Sequence, residues 1–267
     1  MEKNLKDLLQ YFLITYGFSW VVWSPFILHS RGIIEIPSFL LPMFGPIGTF
    51  GPFVAAFFLT YKDDGGNGVV TLLKRGFNWK FNKIWWVPIL LFWPMLQGVS
   101  LLFAVLFGKE ALPAFSEIML FSQPWLLILI FFRTVFIGGP IGEEFGWRGY
   151  ALDRLQAKWN ALVSCLILAL FHACWHFPLW LVQGPKARNT PFLIFIVIIL
   201  TLTIVWVWLY NNTNHSVLPA IVTHAFSNMI IFPFPETKLG YPIYLLLFIL
   251  SAIIIVIIFK PKKLVRE

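Results

Sequence analysis

The chain is a succession of apolar runs, each about as long as a bilayer is thick. A helix crosses hydrocarbon with about 20 mostly apolar residues. Eight stretches fit, roughly 9–29, 37–61, 84–107, 124–148, 160–182, 192–210, 217–234 and 241–259. Backbone groups have no water to pair with in that medium, so each run must satisfy its own hydrogen bonds as a helix. Charged residues are 12% of the 267, about half the ~25% usual in soluble domains. The expectation is an all-α polytopic membrane protein of about eight transmembrane helices, one integral membrane domain over 1–267 with no internal repeat. The opening MEKNLKDLLQ leads into an apolar run with no small-residue cleavage site behind it, which predicts a retained first span. Cys165 and Cys174 are nine apart in one run, on roughly opposite helix faces, so no disulfide is expected.

Lys and Arg in the loops set orientation. With the N-terminus inside, the inner segments hold Lys3, Lys6, the cluster from Lys62 to Lys83, the group from Arg148 to Lys158, and the C-terminal group from Lys260 to Arg266; the outer segments are much poorer in cations. This predicts a multi-pass cell-membrane protein with both termini cytoplasmic; the compact chain, rather than the charge bias, points to a bacterial source. The net charge of +8 then reflects topology and anionic headgroups. A nucleic-acid partner would need a basic soluble domain, which the runs leave no room for. Residues 62–83 and 149–159 read as cytoplasmic segments with short amphipathic stretches on the membrane surface.

Two adjacent carboxylates, in GGPIGEEFGWRGY over 138–150, close the fourth run. The other acidic residues fall in loops or tails, whereas Glu143 and Glu144 belong to a span. His172, His176 and His224 also lie within apolar runs. Ionisable groups at such depth are costly and mark a site or a pathway. Their spacing is regular: Glu144 and Arg148, His172 and His176, His224 and Asn228 are each four apart, which puts each pair on one helix face. Three polar stripes avoid lipid by turning toward a common cavity, placed in the cytoplasmic half. Gly138-Gly139-Pro140 predicts a helix break, with both glutamates in the first turn of the next helix, where its dipole favours carboxylates.

Such a set suits hydrolysis. A glutamate beside another has raised proton affinity and can act as general base and then acid. His and Asn side chains can donate to an oxyanion. A catalytic metal such as Zn2+ is the alternative, with Glu143, His172, His176 and His224 as candidate ligands and a position left for water. The His-x-x-x-His spacing at 172 and 176 is that of HExxH proteases, but Ala173 stands where their glutamate would be. Two non-hydrolytic readings use the same cavity: a membrane scaffold or immunity protein, and a proton-coupled transporter, which the lack of inverted repeats disfavours.

The pattern resembles the CPBP family of intramembrane proteases, the CAAX-processing endopeptidases and their bacteriocin-processing and immunity relatives, also called the Abi family. Glu143, Glu144 and Arg148 match its Glu-Glu-x-x-x-Arg motif. His176 matches the histidine of Phe-x-x-x-His, with His172 where phenylalanine is expected, and His224 with Asn228 match His-x-x-x-Asn. The motif-bearing core covers about 124–232. The resemblance implies an endopeptidase acting on a membrane-associated peptide or protein. In it Glu143 and His176 activate water, His224 and Asn228 form the oxyanion hole, and Arg148 orients a supporting Glu144. It leaves metal dependence open. The Asn and His pairs favour glutamate-type catalysis without a cofactor.

Overall fold

The computed structural model describes residues 2–109, 111, 113, 122–184, 190–229 and 239–265. Among them every regular element is helical, as expected. We number the helices α1 (Glu2–Ser30), α2 (Leu41–Gly48), α3 (Gly51–Gly76), α4 (Trp86–Gly108), α5 (Pro124–Ile137), α6 (Pro140–Gln156), α7 (Ala161–Trp175), α8 (Phe192–Asn212), α9 (Leu218–Asn228) and α10 (Gly240–Phe259).

Five helical stretches are long and apolar enough to cross a membrane by themselves, within α1, α4, α7, α8 and α10. Two bent pairs, α2 with α3 at 44° and α5 with α6 at 47°, add two more if each is one span. Seven is therefore the most the described residues supply, against the eight expected. The difference lies at 217–234. There α9 is 11 residues long, about 16 Å at 1.5 Å per residue, and 230–234 lie outside the described residues. Proline explains where the bent pairs restart: Pro52 and Pro140 each sit in the first turn of the second helix, where no partner for a backbone N–H is needed.

The two segments expected at the surface are both helical and differ in burial. Residues 62–76 continue α3, kinked once at Gly65, whose φ of 63° only glycine adopts cheaply, and most of them are exposed. Residues 149–152, read as a membrane-surface stretch, are buried in a π-helical segment, Trp147–Leu152, inside α6. Its loosened ladder has side-chain partners: Arg75 Nη1 donates to Gly149 O at 3.0 Å and Arg154 Nη1 to Tyr150 O at 3.1 Å.

The bundle is apolar on both sides. Its interior holds Trp23, Trp93, Trp147, Trp175 and Trp206, all fully buried. Its outer surface exposes Val21, Phe58, Leu106, Leu193 and Ile257, among many others. That much exposed hydrocarbon is what lipid contact requires and far exceeds the patches of a soluble monomer. Helix α6 packs on α3 and α5, α7 on α8, and the short α9 against α4, α6 and α8.

Arg75 joins these layers at one end. Its guanidinium meets Asp153 Oδ2 at 2.9 Å, the His215 carbonyl at 3.2 Å and the Tyr210 hydroxyl. Tyr210 OH donates to Asp153 Oδ1. The Arg75 carbonyl accepts from Val217 N–H at 2.9 Å. The end of α3 thus fixes α6, the end of α8 and the start of α9 relative to one another. Both cysteines are free, as expected.

Candidate active site

The break at Gly138-Gly139 creates the first wall of the site. Helix α5 ends where Gly138 N–H bonds to Thr134 O at 2.8 Å. Gly139 then takes φ 109°, ψ −39°, a conformation that a side chain resists. Helix α6 begins at Pro140 in a new direction, and Glu143 N–H closes the first bond back to Gly139 O at 2.8 Å. Glu143 lies in that first turn, where the dipole favours its charge; Glu144 is one residue further in. A Cβ on Gly139 would overlap Glu143 Oε1, and one on Gly142 would come within 2.8 Å of Thr49 O. Gly139→Ala should therefore displace the Glu143 carboxylate and add about 1–3 kcal/mol of backbone strain. Thermal unfolding of the purified protein would read this as a lowered midpoint.

Adjacent on a helix, the two glutamates point about 100° apart, and the structure puts them to different uses. Glu144 is turned into protein. Its Oε1 accepts from Arg148 Nη1 at 3.0 Å and lies 2.7 Å from His224 Nδ1, and Glu144 and Arg148 are both 0% exposed. Since an ionised carboxylate only accepts, the proton between them sits on His224 Nδ1. Arg148 stacks over the Trp206 ring, 4.4 Å from its centre, and Nη2 reaches Thr203 Oγ1 at 3.5 Å. The Trp206 ring also lies 4.5 Å from that of His224. A buried charge is tolerated where it is paired and hydrogen-bonded; here Glu144 Oε1 and both Arg148 Nη atoms are partnered, while Glu144 Oε2 and Arg148 Nε have no hydrogen-bond partner among the described residues.

Glu143 faces the cavity. Its Oε2 lies 2.9 Å from His172 Nε2, and His176, which the resemblance joins to Glu143 in activating water, lines the same cavity. Helix α7 starts with Asn160 capping Val163 N–H at 2.9 Å and ends at Trp175. His172 is thereby in its last turn and His176 at its C-cap. Their rings are near-parallel, 5.3 Å apart, and Trp147 stacks on the other face of His172 at 4.8 Å. Glu143, His172 and His176 bring one ligand atom each to within 4.8 Å of one another. This donor set fits a divalent cation, and His224, the fourth candidate ligand, stands outside it.

These groups open onto a cavity of about 490 Å³. Glu143, His172, His176, His224 and Asn228 line it, while Glu144 and Arg148 stand behind. Asn228 Nδ2 donates to Gly138 O at 3.2 Å, which leaves its second amide N–H for a ligand. Leu179, Phe195, Tyr241, Tyr244 and Phe248 form an apolar extension. Every residue singled out in the three motifs is therefore part of one constellation. Thr203, Trp206 and Trp147 were not anticipated. The signal available for two of them was the threonines and tryptophans in the second half of the apolar run 192–210.

Residues 123–230 match the model of the family described as type II CAAX prenyl endopeptidase Rce1-like. Among curated proteins, CAAX prenyl protease 2 of Methanococcus maripaludis is 28% identical over 178 residues, which is 65% of this chain and 63% of that protein. The chain thus spans somewhat under two thirds of that relative's length.

Proposed function

We propose that this chain, whose residues 123–230 match the Rce1-like family model, is an intramembrane endopeptidase of the CPBP family and hydrolyses a peptide bond of a membrane-associated peptide or protein. The observation that carries the reading is the division of labour in the motif: Glu143 on the cavity, with Glu144 and Arg148 behind it holding His224. Glu143, assisted by His176, takes a proton from water as the oxygen attacks the scissile carbonyl. The new oxyanion accepts hydrogen bonds from Asn228 and His224. Because Nδ1–H of His224 is committed to Glu144, its donation to the oxyanion comes from Nε2–H. Glu143 then passes its proton to the departing amine as the C–N bond breaks.

We place this activation on side chains alone; the His and Asn donors supply the oxyanion stabilisation that a Lewis acid would otherwise give. The apolar extension suits the hydrophobic flank of a membrane-anchored substrate. For a bacterial chain with both termini cytoplasmic and the cavity opening to that side, peptide maturation or self-immunity to a bacteriocin is the role proposed, rather than the prenylated substrate in the archaeal relative's name.

The test is mass spectrometry of membrane-anchored peptides, with and without a lipid chain, after incubation with the protein in nanodiscs. Wild type should cleave, and Asn228→Ala should lower kcat about 10²–10³-fold, as for other oxyanion donors. Cleavage by Asn228→Ala at the wild-type rate would remove that role. No cleavage by wild type of either kind of peptide would overturn the hydrolase reading.

A further inference from the structure

The residue that departs from the family pattern is also the one that touches Glu143. We propose that His172 turns this corner of the cavity into a reversible site for Zn2+ and similar cations, made of Glu143, His172 and His176, whose occupation switches hydrolysis off. The cation binding stands on geometry; the switching rests on the function proposed above. His172 and His176, one turn apart, present near-parallel rings to the same carboxylate. Ligand atoms about 2.1 Å from a tetrahedral ion lie about 3.4 Å apart. His172 Nε2 and Glu143 Oε2 are already 2.9 Å apart, and all three atoms fall within 4.8 Å, so small side-chain shifts complete three ligands. The cavity supplies the fourth position. With phenylalanine at 172 only two ligands would remain.

The same geometry argues for a loosely held ion. A bound cation takes the place of the proton on His172 Nε2 and moves it to Nδ1. That atom is buried and has no hydrogen-bond partner, whereas a resident metal's histidine gives its second N–H to an acceptor. Lack of that acceptor costs about 10–100-fold in affinity. Hydrolysis stops on occupation because the cation takes the lone pairs of Glu143 and His176 that would receive the water's proton.

Full-length protein, stripped with chelator, should be titrated with Co2+, whose visible spectrum reports imidazole ligation, with Zn2+ as competitor. Wild type should bind one Co2+ per chain, displaced by Zn2+. His172→Phe and His172→Gln, both checked for a cooperative thermal transition, should each bind at least ~10-fold more weakly. Wild-type cleavage should fall as Zn2+ is added and recover on chelation. Equal affinity in both folded variants, no saturable binding by wild type, or cleavage that rises with Zn2+ would each overturn the proposal. Co2+ binding as expected in a chain that cleaves nothing supports the site and sinks the hydrolase reading instead.

Discussion

Glu143→Gln should lower kcat/KM for a membrane-anchored peptide by about 10²–10⁴-fold, the range set by loss of a general base. The substitution is close to isosteric. A glutamine oxygen still accepts from His172 Nε2, 2.9 Å away in the native site, and the helix break and cavity walls do not depend on the charge. Peptide affinity and thermal unfolding should therefore stay near wild type while turnover collapses. Measured by single-turnover cleavage together with peptide binding, that split isolates chemistry from folding. A Glu143→Gln protein with full turnover would end the assignment of Glu143 as base. A loss of binding equal to the loss of rate would show that the carboxylate holds substrate rather than activating water.

The largest stability effect is expected at Arg148. Removing its charge by Arg148→Met strands the Glu144 carboxylate at 0% exposure with only His224 to meet it, and breaking a buried pair in this way costs about 3–5 kcal/mol. The stacking on Trp206 is lost as well. Arg148→Lys should recover part of the deficit, since an ammonium keeps the charge but neither the planar fork nor the ring contact. Neutralising both partners, in Arg148→Met with Glu144→Gln, should restore most of the stability without restoring cleavage, because His224 then lacks its anion. Thermal unfolding in detergent would compare the three. A single Arg148→Met chain as stable as wild type would mean that the buried charges are not coupled.

The motif residues were legible because their spacing is a property of the helix itself: four residues make one turn, so Glu144 with Arg148 and His224 with Asn228 had to share faces. The break at Gly138-Gly139-Pro140 was legible for the same local reason. What brings His172 to Glu143 was not local. It depends on how far α7 runs before His176 caps it, and on Trp147 filling the other side of the His172 ring. The π-helical turn leaves no mark in composition. Residues 62–83 read as a separate surface segment, but α3 runs on past Gly65 as a kink to Gly76. The short α9 was over-read, because an apolar run counts the same whether it spans or stops inside.

Hydrolysis consumes a molecule that hydrocarbon does not dissolve well, so an enzyme of this kind needs a supply route as much as a catalyst. The gap between α5 and α6 meets that need. Irregular backbone at membrane depth persists only inside protein or beside water, and Gly138, which ends α5, lines the same cavity as Glu143 and gives its carbonyl to Asn228. The polar edge left by the broken helix makes hydration of the cavity favourable beside the carboxylate proposed to use it. If hydrolysis runs as proposed, the glycines that aim Glu143 also help keep its second reactant at hand.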